Sequence, residues 1–216
     1  CRRKTRFTGK TVPEHPGIKS GLRPTPVTLL VSKKTERREK VTHKELLQLL
    51  VHNNIPFVVV GGTALRLYNS PRITHDIDLS VRAVDIDAVV ELMYSHGYFL
   101  VTKVEESLCE LSLNPAEALA WIEREKAGSA SFIRTGFSPE NHKVEHRFVD
   151  AETQVDFLFE LSIPFPRLRQ NARTVTLKDL SFPVASPEDL LYLKRNRKEP
   201  DEADREDIRF LENLDT

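Results

Sequence analysis

The apolar positions change period several times along the chain, and each change marks a new element. Leu46, Leu47, Leu49, Leu50 and Val51 cluster on one helical face behind Thr42, a suitable N-cap, and Asn53-Asn54 closes that helix. Ile55–Val60 is short and apolar throughout, which predicts a buried strand. Gly62–Tyr68 then reads as a helix, Asn69–Ile73 as a loop and Thr74–Val81 as a second strand. Behind Asp85, read as a helix cap, Ile86, Val89, Val90 and Met93 recur at helical spacing until His96-Gly97 ends the run. Strands are predicted over Tyr98–Val104 and Leu108–Leu113, and a helix over Pro115–Glu125. Lys126–Asn141, rich in Gly, Ser and charge, is expected to be loop.

Lys143–Val149 and Thr153–Leu161 predict a hairpin that turns over residues 150–152. On its second strand, Val155, Phe157 and Phe159 share one face and Asp156, Leu158 and Glu160 the other. Pro164–Arg173 reads as a basic connection, followed by short strands at Thr174–Leu177 and Phe182–Val184. Ser186 or Pro187 opens a helix, and Asp201–Leu214 forms the last one. The expected fold is α/β (α+β), a mixed and twisted sheet flanked by helices with a helical C-terminal region. The expected organisation is an irregular basic arm over 1–40, a core over 41–185 and a closing helical region over 186–216.

Composition narrows the class. With 39% hydrophobic and 30% charged residues in 216, the chain suits a water-soluble globular protein, and no apolar run is long enough to span a bilayer. The opening CRRKTRFTGK is basic but lacks the apolar stretch of a secretory signal. Cys1 and Cys109 provide neither a disulfide framework nor a zinc spacing, so a reducing cytoplasm is the expected setting. The net charge of zero conceals an asymmetry: residues 1–40 carry a net +9 and the rest a net −9. Such an arm can attract nucleic-acid phosphates or simply be solvated. FTGKT resembles the end of a P-loop, but that pattern needs glycine where Lys4 stands.

The candidate chemistry lies in VVVGGTALRLYNSPRITHDIDLSVR, residues 58–82. Asp76 and Asp78, two apart in a strand, project from one face, while Ile77 and Leu79 point the other way. Like charges held so close repel, and a divalent cation relieves them. Gly61 and Gly62 open a helix, where backbone N–H groups can approach an anion. A phosphate cradle beside a carboxylate pair suits a nucleoside triphosphate with Mg²⁺, two ions being the usual number for such transfer. A third carboxylate is needed on a neighbouring strand, and Asp156, isolated between Val155 and Phe157, is the candidate.

GGTALRLY followed by R-x-THDIDL resembles the signature of the nucleotidyltransferase superfamily. Within it, the chain is most similar to the AbiE-type toxin nucleotidyltransferases of abortive-infection and toxin–antitoxin systems and to related minimal nucleotidyltransferases. FPVASPEDLLYLKRNRKEPDEADREDIRFLE resembles that group's closing helices, in which a lysine precedes an Asp-rich helix. The resemblance runs over residues 42–214. It implies that Gly61 and Gly62 hold the triphosphate, that Asp76, Asp78 and Asp156 are the catalytic and metal-binding acids, and that Lys194 reaches the nucleotide phosphates. Thr63 would cap the helix or touch phosphate, and Arg72 and Thr74 would lean on the same anion. Arg72 could instead pair with an acid of the site. His75, on the opposite strand face, reads as structural. The implied activity is transfer of a nucleoside monophosphate from NTP to a hydroxyl, with tRNA or a protein as acceptor and a cognate antitoxin as partner. The alternatives are an inactive nucleotide-binding or antitoxin-like module, and transfer to a small molecule such as an aminoglycoside.

Overall fold

The computed structural model describes residues 42–106, 108–135, 139, 142–145 and 154–214. The expected basic arm therefore lies outside the described residues, as do the predicted turn at 150–152 and the strand residues 146–149. The first described element, α1 (His43–His52), begins with a capping box: the Thr42 hydroxyl accepts from the Glu45 N–H, and the Glu45 carboxylate accepts from the Thr42 N–H at 2.6 Å. Leu46, Leu47 and Leu50 form its buried stripe.

β1 (Phe57–Val60) is buried at every position and runs straight into α2 (Gly61–Leu67). The chain returns as β2 (Ile77–Val81), with Ile77 and Leu79 fully buried. Thr74–Asp76, expected as the start of this strand, lead into it without ladder pairing. His75 is exposed there and packs into no core. A 3₁₀ turn (Ala83–Asp85) precedes α3 (Ile86–Ser95). Asp85 does not cap this helix as its position suggests, because both its carboxylate oxygens are taken by Arg82, at 2.6 and 2.7 Å. β3 (Tyr98–Val104) and β4 (Leu108–Leu111) form a hairpin, and α4 (Pro115–Glu125) follows behind an Asn114 cap.

The first correction to the topology is β5 (Ser129–Arg134), a central strand inside the stretch expected to be loop. The second concerns the expected hairpin of 143–161. β6 (Lys143–Glu145) pairs with β4 at the sheet margin, whereas β7 (Val155–Leu158) lies between β5 and β2. The third is α5 (Phe165–Asn171), in place of the expected connection. β8 (Arg173–Leu177) and β9 (Leu180–Val184) form a hairpin, and α6 (Pro187–Arg195) and α7 (Glu202–Glu212) close the chain.

The described residues thus hold nine strands and seven helices, with strand order β6-β4-β3-β5-β7-β2-β1-β9-β8. The sheet is mixed: β2 runs parallel to β7 and β1 to β9, and the other neighbours are antiparallel. Among the described residues no helix is long and apolar enough to cross a membrane. The main core collects under the middle strands, where Tyr94, Phe132 and Phe157 meet edge to face, the last two with ring centroids 5.8 Å apart. Those rings hold β5 and β7 in register from beneath. On the neighbouring strand β2, Asp78 pairs with Val60 on one side and with Asp156 on the other.

Candidate active site

Strand order brings the candidate acids together. Parallel neighbours lie about 4.8 Å apart, and Asp78 and Asp156 are register partners across β2 and β7. Asp76 stands on the same side, two residues before Asp78. Each of the three offers a carboxylate oxygen within 4.8 Å of the others, and all three are half-buried. Three hard oxygen donors at this separation suit Mg²⁺ or Mn²⁺.

The glycines are dictated by the same carboxylates. Gly61 adopts φ +61°, and a Cβ there would stand 1.8 Å from Asp78 Oδ2. A Cβ on Gly62 would come within 2.9 Å of Thr74 Oγ1. The Gly62 N–H donates to the Asp78 carboxylate, so the donor expected to face phosphate is engaged with an acid in this structure.

Electrostatics follow from the crowding. Burial first, then the charges of Asp76 and Asp156, push the Asp78 carboxyl up from 3.8 to about 7, against the lowering effects of the Gly62 N–H and Lys194. Asp156 is also raised, mainly by burial, with hydrogen bonds from Ser131 and Gln154 opposing the shift. A pair of ionised carboxylates held against its own repulsion is a site whose charge a divalent cation would balance. Thr74 Oγ1 donates to Asp76 Oδ1 and orients it.

The cleft beside the acids encloses about 580 Å³ and is lined by Gly61, Gly62, Arg72, Thr74, Lys194 and the three aspartates. Thr63 does not line it; its hydroxyl donates to the Asp76 carbonyl at 2.9 Å and ties α2 to the approach to β2. Leu158, Leu161, Leu190 and Leu193 add an apolar wall. Lys194 Nζ lies 2.8 Å from Asp204 and 2.7 Å from Asp207, and Arg72 pairs with Asp207 as well. Sequence reasoning leaves room for an Arg72–acid pair, but not with an acid of the last helix.

It also misses Ser131 and Gln154, the hydrogen-bonding partners of Asp156. Ser131 is the register partner of Asp156 on β5, and the alternation of Ser129, Ala130, Ser131 and Phe132 is a usable signal for that strand.

Residues 31–193 match the model of the family described as "Uncharacterised nucleotidyltransferase", and the chain belongs to that family. Among solved structures, the lincosamide antibiotic adenylyltransferase LnuA with lincomycin bound is similar over 81% of this chain and 99% of that one, at 18% identity and a TM-score of 0.47. A candidate nucleotidyltransferase from Thermotoga maritima is similar over 74% of this chain and 89% of its own, at 17% identity and a TM-score of 0.40. No curated protein matches the chain significantly.

Proposed function

We propose that this member of the nucleotidyltransferase family is an active, divalent-metal-dependent enzyme that moves a nucleoside monophosphate from NTP to a hydroxyl. The observation that carries the proposal is the convergence of Asp76, Asp78 and Asp156 to within 4.8 Å beside the Gly61–Gly62 turn. Those three acids would hold the metal, which supplies charge neutralisation at the triphosphate and polarises the attacking oxygen. In the reaction the acceptor oxygen forms a bond to the α-phosphorus as the bond to pyrophosphate breaks. Asp156, raised by burial and oriented by Ser131 and Gln154, is placed to take the hydroxyl proton. Lys194 and Arg72 line the same cleft and would take the charge of the departing phosphates. Three clustered, partly buried carboxylates, with Asp78 and Asp156 raised by burial and by neighbouring charge, cost stability, which argues against an inactive module.

The AbiE-type toxin reading is supported by the lysine that precedes the Asp-rich last helix, and it carries tRNA or a protein as acceptor and a cognate antitoxin as partner. The basic arm and the Arg167–Arg173 stretch favour RNA through phosphate attraction. A cytoplasmic setting suits the buried free thiol of Cys109. The apolar wall of Leu158, Leu161, Leu190 and Leu193 favours a second reading, a small hydroxylated molecule as acceptor. α-Labelled NTP with Mg²⁺, offered separately to total tRNA, a protein extract and a panel of aminoglycosides, separates these readings. Label is expected to move to one class of acceptor and to stay put in Asp76→Ala. Transfer that survives Asp76→Ala rejects the assigned site.

A further inference from the structure

Behind the cleft, α7 presents two aspartates one turn apart, Asp204 and Asp207, with 0% and 2% of their surface exposed. Buried carboxylates are retained only where partners compensate their desolvation. Here the partners are three cations. Asp207 Oδ2 accepts from Arg72 Nη1 and stands 2.7 Å from Lys194 Nζ. Asp204 takes Lys194 at 2.8 Å and Arg197 Nη1 at 3.0 and 3.1 Å through its two oxygens. Two acids against three cations leave one positive charge in surplus, and Arg72, Lys194 and Arg197 all line the cleft that holds the aspartate triad.

Arg72 comes from the loop before β2 and Lys194 and Arg197 from α6 and its end, so the cations reach the cleft from separate parts of the chain. α7 is the element that gathers them. Its own start is fixed by a capping box in which the Asp201 carboxylate accepts from the Asp204 N–H at 2.7 Å. Long cationic side chains lose substantial rotamer freedom when they close on an anion. Cations already held in place spare the incoming ligand that cost.

We propose that Asp204 and Asp207 are positioning residues: from behind the cleft they hold Lys194 and Arg72 ready to receive the triphosphate of the nucleotide. This rests on the nucleotidyltransferase reading of the site and extends it to α7. Charge and position make opposite predictions for Asp207→Asn. If the carboxylate mattered only as a negative charge, removing it would strengthen attraction for a polyanion. Under positioning, Arg72 loses its anionic partner and Lys194 keeps only Asp204, so both cations are held less firmly over the cleft and binding weakens.

The test uses the full chain and inorganic tripolyphosphate with Mg²⁺, a probe without base or sugar, followed by calorimetry. Asp207→Asn is expected to weaken tripolyphosphate binding about tenfold, and Asp207→Glu about threefold, with Mn²⁺ binding to the triad unchanged in both. Unchanged or tighter tripolyphosphate binding by folded Asp207→Asn overturns the proposal. If Asp207→Asn does not fold, Asp207→Glu decides alone: weaker binding supports positioning and wild-type binding overturns it. A purely structural role would lower the melting temperature and leave tripolyphosphate affinity of the folded protein unaltered. Asp78→Asn serves as the reference variant. Should it still bind Mn²⁺ like the wild type, the metal reading fails; should it lose Mn²⁺ while the Asp207 variants bind tripolyphosphate normally, only the positioning role fails.

Discussion

Replacing Asp78 by Asn should stabilise the metal-free protein while destroying its metal site. In the folded chain the Asp78 carboxyl is raised from 3.8 to about 7 by burial and by its two neighbouring carboxylates. At about 1.4 kcal/mol per decade, that difference amounts to about 4 kcal/mol of work against ionisation. The folded state keeps the proton up to about pH 7 while the unfolded chain releases it near its ordinary value, so metal-free stability falls as pH climbs between the two and levels off above. Asn has no charge to impose, and its amide oxygen can still accept the Gly62 N–H. In chelator at pH 8, Asp78→Asn should therefore exceed the wild type by roughly 2–4 kcal/mol, or roughly 5–10 °C in melting temperature for a chain of this size. At pH 5 the advantage should shrink by about half, because the wild-type carboxyl is then protonated in the fold. Millimolar Mn²⁺ should reverse the order, raising the wild type through mass action and leaving the variant where it was. A variant that melts below the wild type at pH 8 in chelator, or an advantage that does not change with pH, would refute the electrostatic account of this site.

Three further outcomes can be checked separately. Gly61→Ala drives a methyl into the Asp78 carboxylate at a positive φ, so it should lose on the order of 2–4 kcal/mol by denaturant titration and lose Mn²⁺ binding together. Ser131→Ala removes a hydrogen bond that lowers the Asp156 pKa, so the acid limb of the pH–rate profile should move to higher pH; an unmoved limb would sever Ser131 from the chemistry. Deleting residues 1–40 should weaken RNA affinity and flatten its salt dependence, and an unchanged slope would exclude the arm from RNA contact.

Much of the architecture is legible in the sequence because local signals and burial agree. Thr42 as the cap of α1, the Pro115 start of α4 and the Ser186-Pro187 start of α6 announce their helices, and β3 and α4 fall where their patterns place them. The elements that escape sequence reasoning depend on distant partners. β5 sits in a Gly- and Ser-rich stretch, and its strand character comes from β3 and β7 on either side. Adjacency in sequence suggests pairing 143–149 with 153–161, yet β6 goes to the sheet margin and β7 to its centre, beside β2. That parallel pairing is what sets Asp156 next to Asp78, so residue types point to the candidate triad while the reason for its convergence stays hidden in the topology. The α7 aspartates show the same division. Their one-turn spacing is visible in DREDIRF, but their burial against Arg72 and Lys194 is a tertiary fact.

The most direct measurement is titration of the full-length protein with Mn²⁺, read from the electron paramagnetic resonance signal of the free ion. The wild type should deplete the free-ion signal, and with NTP do so beyond the depletion that NTP alone causes, whereas Asp76→Ala, Asp78→Asn and Asp156→Asn should add no depletion of their own. A wild-type protein that binds no Mn²⁺ with NTP present, or an Asp156→Asn variant that binds it as well as the wild type, would contradict a metal site shared by these three carboxylates.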